Sequence, residues 1–136
     1  MCGRFVRSST IKNICEYFDV KHPFFEIEPS YNIAPSQNIL IIKNPGAKQL
    51  ASCKWGFLPS WAKDLSMGYK MINAKVETIS EKPSFKTAFR KQRCLVVANG
   101  FYEWQKDRKR KIPSYISLKS RSLFGFAGLY RKAKLP

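Results

Sequence analysis

Apolar positions along the chain fall into short runs whose period changes. Ile11, Ile14, Cys15 and Phe18 recur at i, i+3, i+4 and i+7, the spacing of one helical face, and Ser8-Ser9-Thr10 supply capping hydroxyls in front of them. Lys21 to Pro35 holds three prolines and predicts an ordered loop. Ile39 to Ile42 predicts a short apolar strand, Asn44-Pro45-Gly46 a turn, and Leu50 to Leu58 a second strand. Pro59 to Gly68 predicts irregular chain, after which Pro83 is placed to open a helix carrying Phe85, Ala88 and Phe89. Cys94 to Ala98 predicts a buried strand that Gly100 to Gln105 continues or follows, and Lys106 to Lys111 a charged turn. Tyr115 to Leu118 and Phe124 to Tyr130 are expected to pair as a hairpin around Lys119 to Ser122. Strands outnumber the two short helices, so the expected fold is α+β with a mostly antiparallel sheet.

Phe124 to Tyr130 is apolar on both faces, and such a strand expects neighbours on both sides. The chain stops shortly after it. The expectation is a single, incomplete domain over residues 1–136, its C-terminal part missing and a strand edge left open.

Composition narrows the class. A chain of 136 residues supports one core, and a hydrophobic fraction of 44% excludes a wholly disordered chain. No apolar run approaches the ~18–20 residues of a membrane helix, and Met1-Cys2-Gly3-Arg4-Phe5 is no secretory signal. A soluble, cytoplasmic monomer with no membrane partner is expected. Charge changes the picture further. Lys and Arg number 25 against 9 Asp and Glu, a formal net charge of +16. Lys82 to Pro136 holds fifteen basic residues and two acids, Glu103 and Asp107, and so carries +13. A polyanionic partner is the natural reading, because cations that neutralise phosphates release counterions, and nucleoid association follows. A solvated basic surface is the alternative.

The cysteines stand at positions 2, 15, 53 and 94 without metal-ligand spacing, and His22 is the only histidine. No metal and no cofactor are implied. Cys15, Cys53 and Cys94 sit among apolar residues and read as small core hydrophobes. Cys2 differs. Removal of Met1 would leave a free α-amine and a thiol on adjacent carbons. An aldehyde can condense with that amine, after which the thiol closes a five-membered thiazolidine. Alternatively, the thiolate can attack an acyl carbon with the amine as base. An α-amine of pKa about 7.7–8.0, against about 10.4 for lysine, is far richer in its nucleophilic form near neutral pH.

Met1-Cys2-Gly3-Arg4-Phe5, Tyr31-Asn32-Ile33-Ala34-Pro35-Ser36, Trp55-Gly56-Phe57-Leu58-Pro59-Ser60-Trp61, Ile72-Asn73-Ala74-Lys75-Val76-Glu77-Thr78 and Gly100-Phe101-Tyr102-Glu103-Trp104 stand in that order. Together they strongly resemble the SOS-response-associated peptidase (SRAP) family of abasic-site processing proteins, from Met1 to about Tyr130. The resemblance implies an SRAP-type fold and covalent trapping of an abasic site in single-stranded DNA, with self-removal of Met1 and a lyase-like activity. On it, Cys2 forms the thiazolidine with the ring-opened sugar aldehyde. Asn73 positions the sugar, and Glu103 is the acid/base. Gly3, Arg4, Pro35, Trp61 and Lys75 meet the DNA.

The residues agree with those roles. Imine formation needs proton transfers that a carboxylate can supply, and Glu103 is flanked by Phe101, Tyr102 and Trp104. Burial would raise its pKa and the surrounding cations would lower it. Trp61 and Trp104 would ordinarily be core residues, but Trp61 lies in irregular chain, where stacking on a base is open to it. Two departures stand out. The family usually continues to a histidine-bearing segment that this chain lacks. Lys75 stands where arginine is common, keeping the charge but losing the bidentate fork. Two other readings remain: a DNA-binding remnant that does not cross-link, and an N-terminal-nucleophile cysteine amidohydrolase.

Overall fold

The computed structural model describes residues 2–107, 110–119 and 123–132. Met1, the tip of the charged turn expected at Lys106 to Lys111 and most of the turn expected at Lys119 to Ser122 lie outside them.

Eight strands form two four-stranded sheets among the described residues. They are β1 (Arg4–Arg7), β2 (Ser30–Ile33), β3 (Asn38–Lys43), β4 (Gln49–Lys54), β5 (Arg93–Ala98), β6 (Gly100–Asp107), β7 (Arg110–Ile116) and β8 (Phe124–Leu129). The first sheet has the order β2-β1-β6-β7 and the second β4-β3-β5-β8. Every pairing is antiparallel. The helices are α1 (Ile11–Phe18), α2 (Ser66–Lys70) and α3 (Lys86–Lys91). The α+β, mostly antiparallel expectation holds, with three short helices in place of two. No helix among the described residues is long and apolar enough to cross a membrane.

The second sheet is covered on both faces, which explains the unbroken apolar run of β3. Leu40, Ile42, Leu50 and Val97 pack with Ile11 and Ile14 of α1. Ile39, Ile41, Cys94 and Ala98 pack with Phe5 and Ile33 of the first sheet. Thr10 caps α1 by accepting from the Asn13 amide at 3.2 Å, and Asp19 ends it in a left-handed conformation (φ 53°).

Four elements differ from expectation. The loop expected over Lys21 to Pro35 contains β2, which is anchored by pairing with β1 rather than by any local pattern. The second strand stops at Lys54 instead of Leu58, because Gly56 adopts φ 139°, a conformation incompatible with a continuing strand. A Cβ on Gly56 would stand 2.5 Å from the Gly68 carbonyl oxygen, so Gly56 lies directly against α2. That helix falls in chain expected to be irregular. Asp64 starts it by accepting from the Ser66 amide at 2.9 Å and from the Ser66 hydroxyl. Finally, the expected hairpin of Tyr115–Leu118 with Phe124–Tyr130 does not form. β7 pairs with β6, from Phe101↔Ile116 to Asp107↔Arg110, while β8 pairs with β5 in the other sheet. Local alternation marks a strand but carries no information about its partner.

Asn99 stands where the chain leaves β5 in one sheet and enters β6 in the other. It is buried, and its side-chain oxygen accepts from the Ser8 and Ser9 amides at 2.8 and 3.1 Å. Its side-chain nitrogen donates to the Ser9 hydroxyl at 2.9 Å, and its own amide donates to the Val6 carbonyl at 2.8 Å. Nearby, the buried Arg7 guanidinium donates to the Ser9 and Glu28 carbonyls, tethering the chain before β2. Replacing Asn99 with Ala removes the acceptor of two part-buried amides. The expected loss is about 2–4 kcal/mol, read as a lower denaturation midpoint at unchanged m-value.

Candidate active site

The register between β1 and β6 sets the site. Arg4 faces Tyr102, Phe5 faces Phe101 and Val6 faces Gly100. Side chains alternate along a strand, so Phe101 and Glu103 share the face that carries Phe5, and Tyr102 and Trp104 share the other. Phe5 and Phe101 belong to the core, with both rings edge-on to Phe126 at 6.2 and 5.5 Å between centroids.

Cys2 precedes β1 and is half-buried against that core. Its thiol donates to the Arg4 carbonyl at 3.1 Å. Its own carbonyl accepts from Asn73 Nδ2 at 2.8 Å. Burial pushes the Cys2 thiol up, hydrogen bonding by the Arg4 backbone draws it back, and the nearby Glu103 carboxylate adds to the rise. Cys2 and Asn73, far apart in sequence, are therefore in contact, and the Glu103 carboxylate is near enough to act on the Cys2 thiol.

Asn73 is held by a chain of contacts that the motifs alone did not disclose. The Trp55 indole N–H donates to the Ile72 carbonyl at 3.0 Å, and the Phe57 amide donates to the Met71 carbonyl at 2.9 Å. The Trp55 ring meets Phe5 edge-on at 5.3 Å. On its other side, the Trp55 backbone exchanges hydrogen bonds with the 36–37 segment. Its carbonyl accepts from Ser36 and its amide donates to Gln37, both at 2.9 Å. The Gln37 side chain in turn accepts from the Ala34 amide at 2.9 Å, closing the turn that holds Pro35. Trp55 and Gln37 are the positioning residues that sequence reasoning missed. Trp55 lay within a motif, yet an indole N–H aimed at a carbonyl is visible only in three dimensions.

The remaining expected residues are spread around this network. Gly3 is half-buried beside Cys2. Arg4 donates to the Asn32 side chain at 2.9 Å. Trp61 is 54% exposed in the turn closed by the Ala62 amide on the Pro59 carbonyl. Lys75 is exposed just beyond Asn73. The network joining Cys2 to Asn73 includes neither the Trp61 nor the Lys75 side chain. Trp104, expected to be a core residue, is 42% exposed.

Cys2 and Asn73 line an open groove of about 900 Å³ whose other walls are mainly apolar, among them Phe5, Ile41, Trp55, Phe57, Val96 and Phe126. Glu103, Arg4, Pro35, Trp61 and Lys75 do not line it. Cys53 and Cys94 do, and burial pushes their thiols up to about 11 and about 12, as expected of core cysteines. No metal-binding cluster occurs among the described residues.

The family model for the SOS response associated peptidase (SRAP) matches residues 1–136. The chain belongs to the SRAP family. It is 52% identical to the abasic site processing protein YoqW of Bacillus subtilis over all of its own length and 62% of that protein's. It is also 52% identical to YoaM of the same organism, over 97% of this chain and 60% of YoaM. A solved structure from Bacteroides thetaiotaomicron superposes with a TM-score of 0.79 at 25% identity, covering 94% of this chain and 59% of the other. This SRAP chain thus spans about three fifths of the length of the curated relatives it matches.

Reaction of a thiol with iodoacetamide follows its thiolate fraction. In protein that retains Met1, the Cys2 alkylation rate is expected to rise with pH to a midpoint above the ordinary thiol value of 9.0. Glu103→Gln removes a negative charge that disfavours the thiolate, so it should bring the midpoint down. Residue-resolved mass spectrometry checks both; a Cys2 midpoint at or below 9.0 contradicts the geometry.

Proposed function

We propose that this SRAP protein processes abasic sites in single-stranded DNA by trapping the sugar aldehyde on Cys2. The observation that carries the proposal is the placement of Cys2 against Asn73 and beside Glu103. The names of its relatives, YoqW and YoaM among them, support it: both are abasic site processing proteins. So does the net charge of +16, which suits a phosphate backbone.

The chemistry runs in three steps. Hydrolysis of the Met1–Cys2 peptide bond releases methionine and frees the α-amine. The amine adds to the C1′ aldehyde of the ring-opened sugar, and the carbinolamine loses water to give an imine. The Cys2 sulfur then adds to the imine carbon while its proton passes to nitrogen, closing the thiazolidine with a net loss of one water. The thiol carries the proton that the imine nitrogen needs. Glu103 takes the proton from the adding amine and returns it to the departing hydroxyl. Asn73 restrains the Cys2 backbone, so the amine and thiol keep one orientation toward the aldehyde. Arg4 and Lys75 meet phosphates, Gly3 and Pro35 shape the strand's path, and Trp61 offers a face to a base.

Intact mass spectrometry with a single-stranded oligonucleotide carrying one abasic site tests this reading. The expected mass is protein without Met1, plus DNA, less one water, seen only with the lesion and lost in Cys2→Ala. Asn73→Ala should slow trapping about 10- to 100-fold, and Glu103→Gln about 100-fold or more. No adduct from a protein shown to have lost Met1 and to bind DNA would sink the proposal, leaving a non-covalent DNA-binding protein.

A further inference from the structure

Side chains alternate along the segment that leads from α1 to β2. Phe25 and Ile27 turn inward and pack against the core that α1 shares with one face of the second sheet. Phe24, Glu26 and Glu28 are exposed, and Phe24 is wholly so, at 110%. The segment is held in that posture. Its inward residues are anchored in the core, the His22 ring stands 3.7 Å from the Glu26 carboxylate, and the Glu28 carbonyl accepts from the buried Arg7 guanidinium. An aromatic ring is thus fixed outward with two carboxylates beside it. The stretch from Glu16 to Glu28 is also the most acidic of the chain, with four of the nine acids against one lysine, Lys21. The groove that Cys2 and Asn73 line is its complement. Its walls are mainly apolar, Lys54, Arg93 and Arg131 add cations to them, and no Asp or Glu lines it among the described residues.

We infer that the groove receives a second copy of this chain: Phe24 of one copy inserts among the apolar walls, and Glu26 and Glu28 meet the groove's cations. The ring cannot reach the groove of its own copy, because the second sheet stands between them. Phe25 and Ile27 pack on the face that carries Leu40 and Ile42, whereas Ile39, Ile41, Cys53 and Cys94 line the groove from the other face. The association is therefore head to tail, with different surfaces on the two partners. Charge selects this occupant and this orientation. Copies of a chain carrying +16 repel one another, and the approach that brings the acidic stretch of one to the cations of the other is the least opposed. The consequence is regulatory. A ring seated in the groove covers the Cys2 thiol of the receiving copy, while the copy at the free end of the assembly keeps an open groove.

The test uses the full chain without DNA, so it reads the same whether or not the protein traps abasic sites. Analytical ultracentrifugation from about 1 to about 200 µM follows self-association across micromolar Kd values. Phe24→Ser removes the ring, and Lys54→Glu combined with Arg93→Glu reverses the groove's charge. Each variant should weaken self-association roughly 10-fold or more, the groove variant even though its lower net charge reduces overall repulsion. Mixing the two variants should give one-to-one pairs, since one still has the groove and the other still has the ring. In those pairs iodoacetamide should modify Cys2 more slowly in the Phe24→Ser copy than in its partner, as read by mass spectrometry. A chain that sediments as a monomer throughout, self-association unchanged by Phe24→Ser, a mixture that does not pair, or Cys2 alkylation unaffected by pairing each overturns the proposal. If the groove variant does not fold, Phe24→Ser decides alone, because the substituted side chain is wholly exposed.

Discussion

The buried Asn99 side chain joins two places where the chain changes course. It stands where β5 gives way to β6, and it binds the amides of Ser8 and Ser9, where β1 gives way to α1. The two sheets are thereby locked together beside the strand pair that holds the site. From that point the β1–β6 register runs Val6↔Gly100, Phe5↔Phe101, Arg4↔Tyr102, which leaves Glu103 alongside the chain entering β1. A slip of one residue would turn Glu103 to the opposite face and put Tyr102 in its place. Such a joint is costly to lose because Asn99 is buried and its side chain satisfies two backbone amides at once.

A second constraint organises the other half of the site. Four separate motifs meet at Trp55, which touches Phe5 with its ring, Ile72 with its indole N–H, and the 36–37 segment with its backbone. Asn73 follows Ile72 and so inherits its position from this indole. Gly56 lets the chain turn immediately after Trp55 and pass against α2. These residues thus depend on one another mechanically: each holds another in place, and Cys2 is held last.

Two chemically different surfaces meet at Cys2. One is the apolar groove between the sheets, which buries the thiol and keeps it protonated. The other is the aromatic and basic face reached through Arg4, the immediate neighbour of Gly3. Their meeting point is set by Cys2 and the start of β1, where an interior strand of one sheet enters beside the groove.

Much of this was legible in the sequence, and the division has a physical basis. Helix α1 and strands β3 and β5 follow from local period and capping, because those signals act between near neighbours. The candidate chemistry was equally plain: an amine and thiol at Cys2, an amide at Asn73, a carboxylate at Glu103 and a large excess of cations. Strand pairing was not legible. β7 alternates no differently for pairing with β6 than for pairing with β8, and only packing across the whole molecule chooses. Helix α2 depends on Asp64 and on the close approach of Gly56, neither of which leaves a periodic trace. The exposure of Trp104 was also hidden, since an aromatic strand residue reads as core until the neighbouring strand fixes which face is covered. The sequence by itself determined which groups are available and which segments are helical or extended. Only the tertiary structure decided that Cys2, Asn73 and Glu103 stand together, because contacts between residues so distant in the chain are selected by burial and register rather than by local preference.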